Sequence, residues 1–260
     1  MNRVALVTGA ARGIGAATVR LMLDEGWCVV AVDRCAPDPR LPYALAARAE
    51  LDAVVAHAPD RAVSVTADTC DEVALDAAVH LAEQRVGGLD VAVAAAGVVA
   101  GGVSLWEQPA DQVRAVLDVD LIGVVTLARV AVPALLRRPA PRSGRFLAVA
   151  STASTSGLPM LAAYCAAKAG VTGLVRSLAA ELGPLGVTAN CVSPGSTDTA
   201  VLHESARLYG LGSSQEFAAQ QPLGRLIEPS EIAAALVWLA GPASTAVTGA
   251  NLPVDGGLGL

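Results

Sequence analysis

Short apolar runs return along the whole chain, and between them lie stretches whose apolar positions recur at helical spacing. RVALVT (residues 3–8), CVVAVD (28–33), AVSVTAD (62–68), LDVAVAAAG (89–97), GRFLAVAS (144–151) and VTANCVSPG (187–195) read as strands, with a last short one near ANLPVDGG. The segments after the first, third, fourth and fifth of these read as helices, and Gly26 and Gly186 stand where glycines close a helix. A strand that is apolar along its whole length has no face for water. It belongs in a parallel sheet covered on both sides, with helical crossovers. The pattern predicts an α/β protein: one doubly wound domain over residues 1–260, with about seven parallel strands and no linker or repeat.

Composition narrows the reading further. Hydrophobic residues make up 53% of the chain but aromatics only 3%, so the core is built from Ala, Val and Leu. The net charge is −6 with both signs interspersed, which argues against nucleic acid or an anionic membrane surface as partner. No apolar run long enough to span a membrane is free of Gly, Pro or charge. Cys28, Cys35, Cys70, Cys165 and Cys191 lack paired spacing, and His57, His80 and His203 are scattered. The expectation is reduced thiols, no metal site and a cytoplasmic protein without a signal peptide.

In a doubly wound sheet ligands sit beyond the carboxyl ends of the strands. After the first strand comes TGAARGIG, with Gly9, Gly13 and Gly15 leading into a helix. Glycines let the backbone approach a ligand, and the free N–H groups of the first helical turn attract a pyrophosphate. Arg12 and Ile14 complete this candidate phosphate loop. Eighteen residues after Gly15 the second strand ends in Asp33, where a carboxylate can accept from both hydroxyls of an adenosine ribose and repel a 2′-phosphate. Arg12 and Arg34 pull the other way, since either can pair with such a phosphate. Asp33 stands nearer the deciding position, so NAD is favoured over NADP. Asp68, followed by Thr69, is a candidate for the adenine end.

SGLPMLAAYCAAKAGVTGL places Tyr164 and Lys168 one helical turn apart, and Ser151 ends the preceding strand thirteen residues before the tyrosine. A Tyr–Lys pair alone is ordinary helix surface. Beside a strand-end serine in a nucleotide-binding sheet it reads as proton-transfer machinery. A free phenol ionises near pH 10. An ammonium ~4–5 Å away favours the phenolate by roughly 3–4 kcal/mol at an effective dielectric of ~20, so a lowered tyrosine pKa is expected.

Taken together, Thr8-Gly9-x-x-x-Gly13-x-Gly15, Asp68, Ala96-Gly97, Ser151, Tyr164-x-x-x-Lys168 and Pro194-Gly195 resemble the short-chain dehydrogenase/reductase family of the classical type, over essentially the whole length. The spacings differ from those of sugar epimerases and enoyl reductases. The resemblance implies a Rossmann-type fold, a nicotinamide cofactor and Tyr164 as general acid/base. It implies that Lys168 holds the nicotinamide ribose and that Ser151 positions the substrate oxygen. Ala96, Gly97, Tyr164, Pro194, Gly195, Thr197 and Thr199 fall at cofactor-contacting positions, and the assembly implied is a homotetramer. Apolar faces around Val125–Leu136 and Val171–Leu182 offer surfaces for it.

The chain departs from that pattern in two places. Asp120 in DVDLIG stands where the family has an asparagine whose backbone carbonyl binds a relay water; here a carboxylate adds negative charge towards Lys168, or it is a solvated acid on a helix kink. AAAG (94–97) replaces amides with alanines, which implies a repacked strand. Between Asp33 and Asp68 the chain also carries about ten residues more than a minimal crossover needs. Pro37, Pro39 and Pro42 stiffen this insertion (Arg34–Leu51), and with Leu41 and Tyr43 it reads as a flap over the dinucleotide. It is similar to the mycofactocin-coupled, carveol-dehydrogenase-like subgroup, which implies non-exchangeable NAD recycled by an external redox carrier.

The segment Ser196–Leu226 reads as a substrate lid. Val201, Leu202, Leu208, Tyr209, Leu211 and Phe217 supply apolar surface, and no arginine clamp stands out. A moderately hydrophobic alcohol or ketone is the expected substrate. The competing readings are an NADP-dependent carbonyl reductase and a non-catalytic NAD-binding regulatory protein. The intact Ser151, Tyr164 and Lys168 count against the second.

Overall fold

The structure, a computed structural model, describes residues 3–260. Seven parallel strands form one sheet in the order β3-β2-β1-β4-β5-β6-β7. They are β1 Val4–Thr8, β2 Cys28–Asp33, β3 Ala62–Thr66, β4 Val91–Ala94, β5 Arg145–Val149, β6 Thr188–Pro194 and β7 Asn251–Val254. The chain order reverses between β1 and β4, and a crevice opens there at the carboxyl ends. The expected strands are all present; the third, fourth and fifth stop earlier, so Asp68, Ala96-Gly97 and Ser151 lie on the loops that follow them.

Helices cover both faces because each strand supplies both cores. In β1, Val4 and Leu6 point to one side while Ala5 and Val7 point to the other, all fully buried. The first side packs against α3 (Glu72–Val86), α5 (Gly123–Arg137) and α6 (Ala162–Leu182) through Leu75, Leu127, Leu135 and Val171. The second packs against α1 (Gly13–Asp24), α2 (Arg48–Val55) and α8 (Pro229–Ala240) through Val19, Leu51 and Leu236. α4 (Ala110–Leu117) leads towards α5, and α7 (Ala200–Leu208) lies in the lid segment. Gly26 and Gly186 adopt the left-handed conformation expected of helix ends, at φ 84° and 79°. The periodicity reading did not place α2, α7 or α8. α8 is apolar nearly all round and α2 is short, so neither shows a clear stripe.

The segment expected as one long helix from Ala110 is broken by a single π-turn over Asp118–Ile122. By length and composition the run Ala110–Arg137 could cross a bilayer. Its apolar face is instead spent on the sheet, with Leu127, Ala131 and Leu135 fully buried. Of the faces expected to meet another subunit, Val132, Leu136, Leu174 and Leu178 are half-buried margins of the same core.

The proline-rich segment is an irregular loop over residues 34–47, and α2 starts at Arg48, inside the range assigned to the insertion. Its anchor is Asp38, which is almost wholly buried. Arg40 binds both its oxygens at 3.0 and 2.8 Å and Arg34 binds it at 2.9 Å. Arg40, and to a lesser degree Arg34, holds the Asp38 carboxyl far below the usual carboxylate range. Arg40 also reaches Asp118 on the π-turn at 2.6 Å, tying the loop to that helical segment.

Candidate functional site

A cleft of about 580 Å³ opens at the switch point between β1 and β4. At its mouth the phosphate loop runs from β1 into α1. Gly9 sits at φ 66°, and a Cβ there would lie 2.6 Å from the Ala96 backbone, so only glycine allows β1 and β4 to end side by side. Gly13 begins α1 at φ 58°, facing Thr199 across the cleft. Gly15 does not line the cleft; it lets α1 press onto the loop, since a Cβ would fall 2.0 Å from the Gly9 carbonyl oxygen. Gly9, Arg12, Gly13 and Ile14 all line the cleft.

The β2 end supplies Asp33, whose Oδ2 accepts from the Ala11 N–H at 3.0 Å and whose Oδ1 accepts from the Cys35 N–H at 3.2 Å. The carboxylate is thereby oriented by the phosphate loop itself. Both competing arginines line the cleft but are already paired. Arg34 lies 3.4 Å from Asp68 besides its contact with Asp38, and Arg12 donates to the Ala44 carbonyl of the proline loop at 3.0 Å. Asp68 and the buried Thr69 line the same end of the cleft. A carboxylate, a glycine cradle and a helix N-terminus in this order fit the adenosine diphosphate moiety of a nicotinamide cofactor.

Ser151, Tyr164 and Lys168 converge at the other end. Ser151 follows β5, and its hydroxyl accepts from the Ala153 N–H at 3.1 Å. Tyr164 and Lys168 share one face of α6, with the lysine Nζ 5.5 Å from the ring centre and bonded to the Val149 carbonyl at 3.1 Å. All three line the cleft with Ala96, Gly97, Pro194, Gly195, Thr197 and Thr199. The lowered tyrosine pKa expected from sequence is not found. Burial raises it, and this outweighs the lowering by Lys168 and by the Ser151 hydroxyl. Desolvation is a property of the tertiary environment and was underestimated from spacing alone.

Of the two readings of Asp120, charge towards Lys168 or a solvated acid, the structure supports the first: the residue sits on the helix kink, completely buried and acted on by Lys168. Its Oδ1 accepts from the Val98 N–H at 2.8 Å. A Cβ on Gly97 would lie 3.3 Å from that oxygen and 3.6 Å from Lys168 Nζ, so carboxylate and ammonium flank one backbone position. Burial pushes the Asp120 carboxyl up to about 6, against the opposing pull of Lys168.

Lid and proline loop complete the walls. Val201, Leu202, Tyr209, Leu211 and Phe217 line the cleft as expected, whereas Leu208 turns away and packs against Gly102. Tyr209 donates to the Pro159 carbonyl at 2.7 Å, joining the lid to the loop after Ser151. Tyr43 lines the cleft, accepting from the Val99 N–H at 2.9 Å, while Leu41 is buried beneath it against Val98 and Ala115. Leu45, Leu158, Pro159 and Gln220 also line the cleft and were not singled out from sequence. Only their nearness to Tyr43, Ser151 and Phe217 in the chain hinted at them.

Fold and site together define an α/β nucleotide-binding protein with a Tyr–Lys–Ser centre. The family model described as "Enoyl-(Acyl carrier protein) reductase" matches residues 9–259. A cis-4-hydroxycyclohexanecarboxylate dehydrogenase of Sinomonas cyclohexanicum is 39% identical over 98% of this chain and 96% of that protein. The crystal structure of carveol dehydrogenase from Mycobacterium avium in complex with NAD superposes with a TM-score of 0.91 at 30% identity, covering 98% of this chain and 97% of that one. That of 3-ketoacyl-(acyl-carrier-protein) reductase from Brucella melitensis, complexed with NADH, gives 0.87 at 29% identity, covering 99% and 98%. The chain belongs to the short-chain dehydrogenase/reductase family, and it is an oxidoreductase of that family acting on alcohols.

Proposed function

We propose that this protein is an NAD-dependent dehydrogenase that interconverts a neutral, moderately hydrophobic secondary alcohol and its ketone. The observation that carries the reading is the placement of Ser151, Tyr164 and Lys168 at one end of a cleft whose other end holds Asp33. When bound, the nicotinamide cofactor supplies the hydride acceptor or donor. Gly9, Gly13 and Ile14 would cradle its pyrophosphate, Asp33 its adenosine ribose, and Lys168 with Thr197 and Thr199 its nicotinamide half. Ser151 orients the substrate oxygen towards the tyrosine hydroxyl. Tyr164 removes the alcohol proton in oxidation and returns it in reduction, and Lys168 favours the phenolate.

The lid end of the cleft presents Leu158, Leu161, Val201, Leu202, Leu211 and Phe217 without a lysine or arginine. That lining suits an uncharged substrate. A panel of cyclic and acyclic secondary alcohols tests the proposal, each assayed with NAD, with NADP, and with an artificial electron acceptor. Turnover with NADP alone, or none under any condition, overturns it. Asp33→Ala is expected to weaken NAD binding by about 10–100-fold, the scale of a lost pair of charge-assisted hydrogen bonds, and to narrow the preference over NADP.

The pinned proline loop supports a second part of the proposal. Arg12 bridges to Ala44, and Tyr43, Leu45 and Ala46 wall the cleft beside Asp33, so cofactor release requires opening of a segment held by Asp38 and Arg40. The protein is expected to retain NAD through purification and to pass electrons to an external redox carrier, as in the mycofactocin-coupled subgroup. Protein desalted without added nucleotide, then denatured, should release near-stoichiometric nicotinamide nucleotide. A clean apo-protein would refute retention and leave the dehydrogenase reading in place. A homotetramer is part of the same proposal, with the half-buried margins of α5 and α6 as contact surfaces.

A further inference from the structure

A buried carboxylate stands behind the Tyr–Lys pair, and the proton transfer just described gives it no task. Asp120 has no accessible surface; Oδ1 is bonded to the Val98 N–H, while Oδ2 has no hydrogen-bond partner among the described residues. A buried, ionised oxygen without a donor is costly unless a nearby charge compensates it. The cation that acts on it is Lys168, whose Nζ and the Asp120 Oδ1 both approach the Cβ position of Gly97, at 3.6 and 3.3 Å.

The other titratable groups near this turn are few. From the loop after β3 comes the Cys70 thiol, which donates to the Asp118 carbonyl at 3.3 Å and whose pKa burial raises, so it is neutral near pH 7. From α6 come Lys168, Tyr164 and the Cys165 thiol, which acts only weakly on the tyrosine. From the proline loop comes the Tyr43 hydroxyl, held by the Val99 N–H. From α7 comes Glu204, which is bound by Arg207 at 2.6 and 2.8 Å. Asp118, on the turn itself, faces outward to Arg40. The backbone after β4 (residues 94–99) and the first turns of α5 (123–128) carry no charged side chain. Lys168 and Asp120 are therefore the two opposed charges in the immediate setting of the Tyr164 phenol.

We propose that Asp120 is a positioning residue for the proton chemistry: its carboxylate opposes the Lys168 charge, so that Tyr164 keeps its proton to higher pH than the lysine alone would permit. The inference rests on the acid/base reading of Tyr164 and deepens it, because a phenol with a raised pKa stays protonated, and so available to ketone reduction, over a wider pH range. The direction of each effect agrees. Asp120 raises the tyrosine pKa, and Lys168 lowers that of the aspartate. Burial pushes the Asp120 carboxyl up to about 6, so its opposition to the lysine fades as pH falls through that region and grows as pH rises above it.

Asp120→Asn tests the idea with little risk to folding, since the amide keeps the volume and an oxygen for the Val98 N–H. Two measurements are made with NAD bound, in the wild type and the variant. One is the pH dependence of kcat/KM for alcohol oxidation. The other is the ultraviolet titration of Tyr164, obtained as the difference between each protein and its Tyr164→Phe counterpart. Both midpoints are expected to move down by about one pH unit or more in Asp120→Asn, the usual scale for removing a neighbouring like charge. Oxidation at neutral pH should rise up to ~10-fold as a result. Coincident midpoints, or an upward shift, overturn the proposal. The titration needs no turnover, so an inactive protein still decides it. Full activity in Tyr164→Phe would remove the acid/base reading while leaving the electrostatic comparison valid.

Discussion

Tyr164→Phe is expected to lower turnover by at least ~10²-fold with little change in stability or cofactor binding. The substitution removes one oxygen and leaves the ring, which packs against the small cluster of Leu41, Val98, Ala115 and Ala163. Lys168 keeps its bond to the Val149 carbonyl and Ser151 keeps its bond to the Ala153 N–H, so the walls of the site stand. What is lost is the group that exchanges a proton with the substrate oxygen, and a positioned acid/base contributes roughly 10²–10⁴-fold. Steady-state rates in both directions, with cofactor binding measured in parallel, check this. A loss confined to KM would show that the hydroxyl only binds substrate, and an unchanged kcat would end the proton-transfer assignment.

Gly15→Ala should have the largest structural effect of any single methyl group added to the site. The new Cβ would lie 2.0 Å from the Gly9 carbonyl oxygen and 2.7 Å from its carbon, both backbone atoms that no side-chain rotation can clear. α1 must then retreat from the loop. That breaks the packing of Ala16 and Val19 on the sheet and pulls the first-turn N–H groups away from the pyrophosphate position. Overpacking of this kind costs about 3 kcal/mol or more, which corresponds to a fall of roughly 6–12 °C in Tm for a chain of this size. NAD binding is expected to drop below detection. Thermal unfolding and nucleotide titration on one preparation give both values. A variant that melts like the wild type and binds NAD would show that the loop can move aside and that the helix does not depend on this contact.

Much of the architecture was legible in the sequence because strands and helices announce themselves through local periodicity. The β1–α1 unit is the clearest case. Its strand is apolar on both faces, its turn needs glycine where φ is positive, and its helix follows at once. Chemistry carried on one element was legible for the same reason, since Tyr164 and Lys168 meet by helical spacing alone. The proline loop could be read as irregular, but not its anchor. Asp38 looked like any loop acid, and its burial between Arg34 and Arg40 depends on how the loop folds back over the sheet edge.

From the residues alone follow the alternation of buried strands and helices, the phosphate turn, the acid at the end of β2 and the Tyr–Lys spacing, because each is set by neighbours within a few turns of chain. Tertiary structure decided the electrical character of the centre. Burial lifts the Tyr164 pKa against the lysine's pull, encloses Asp120 with one oxygen unbonded, and joins Arg40 to Asp118 across 78 residues of chain. Desolvation and charge coupling depend on which distant segments close over a group, and no local pattern records that.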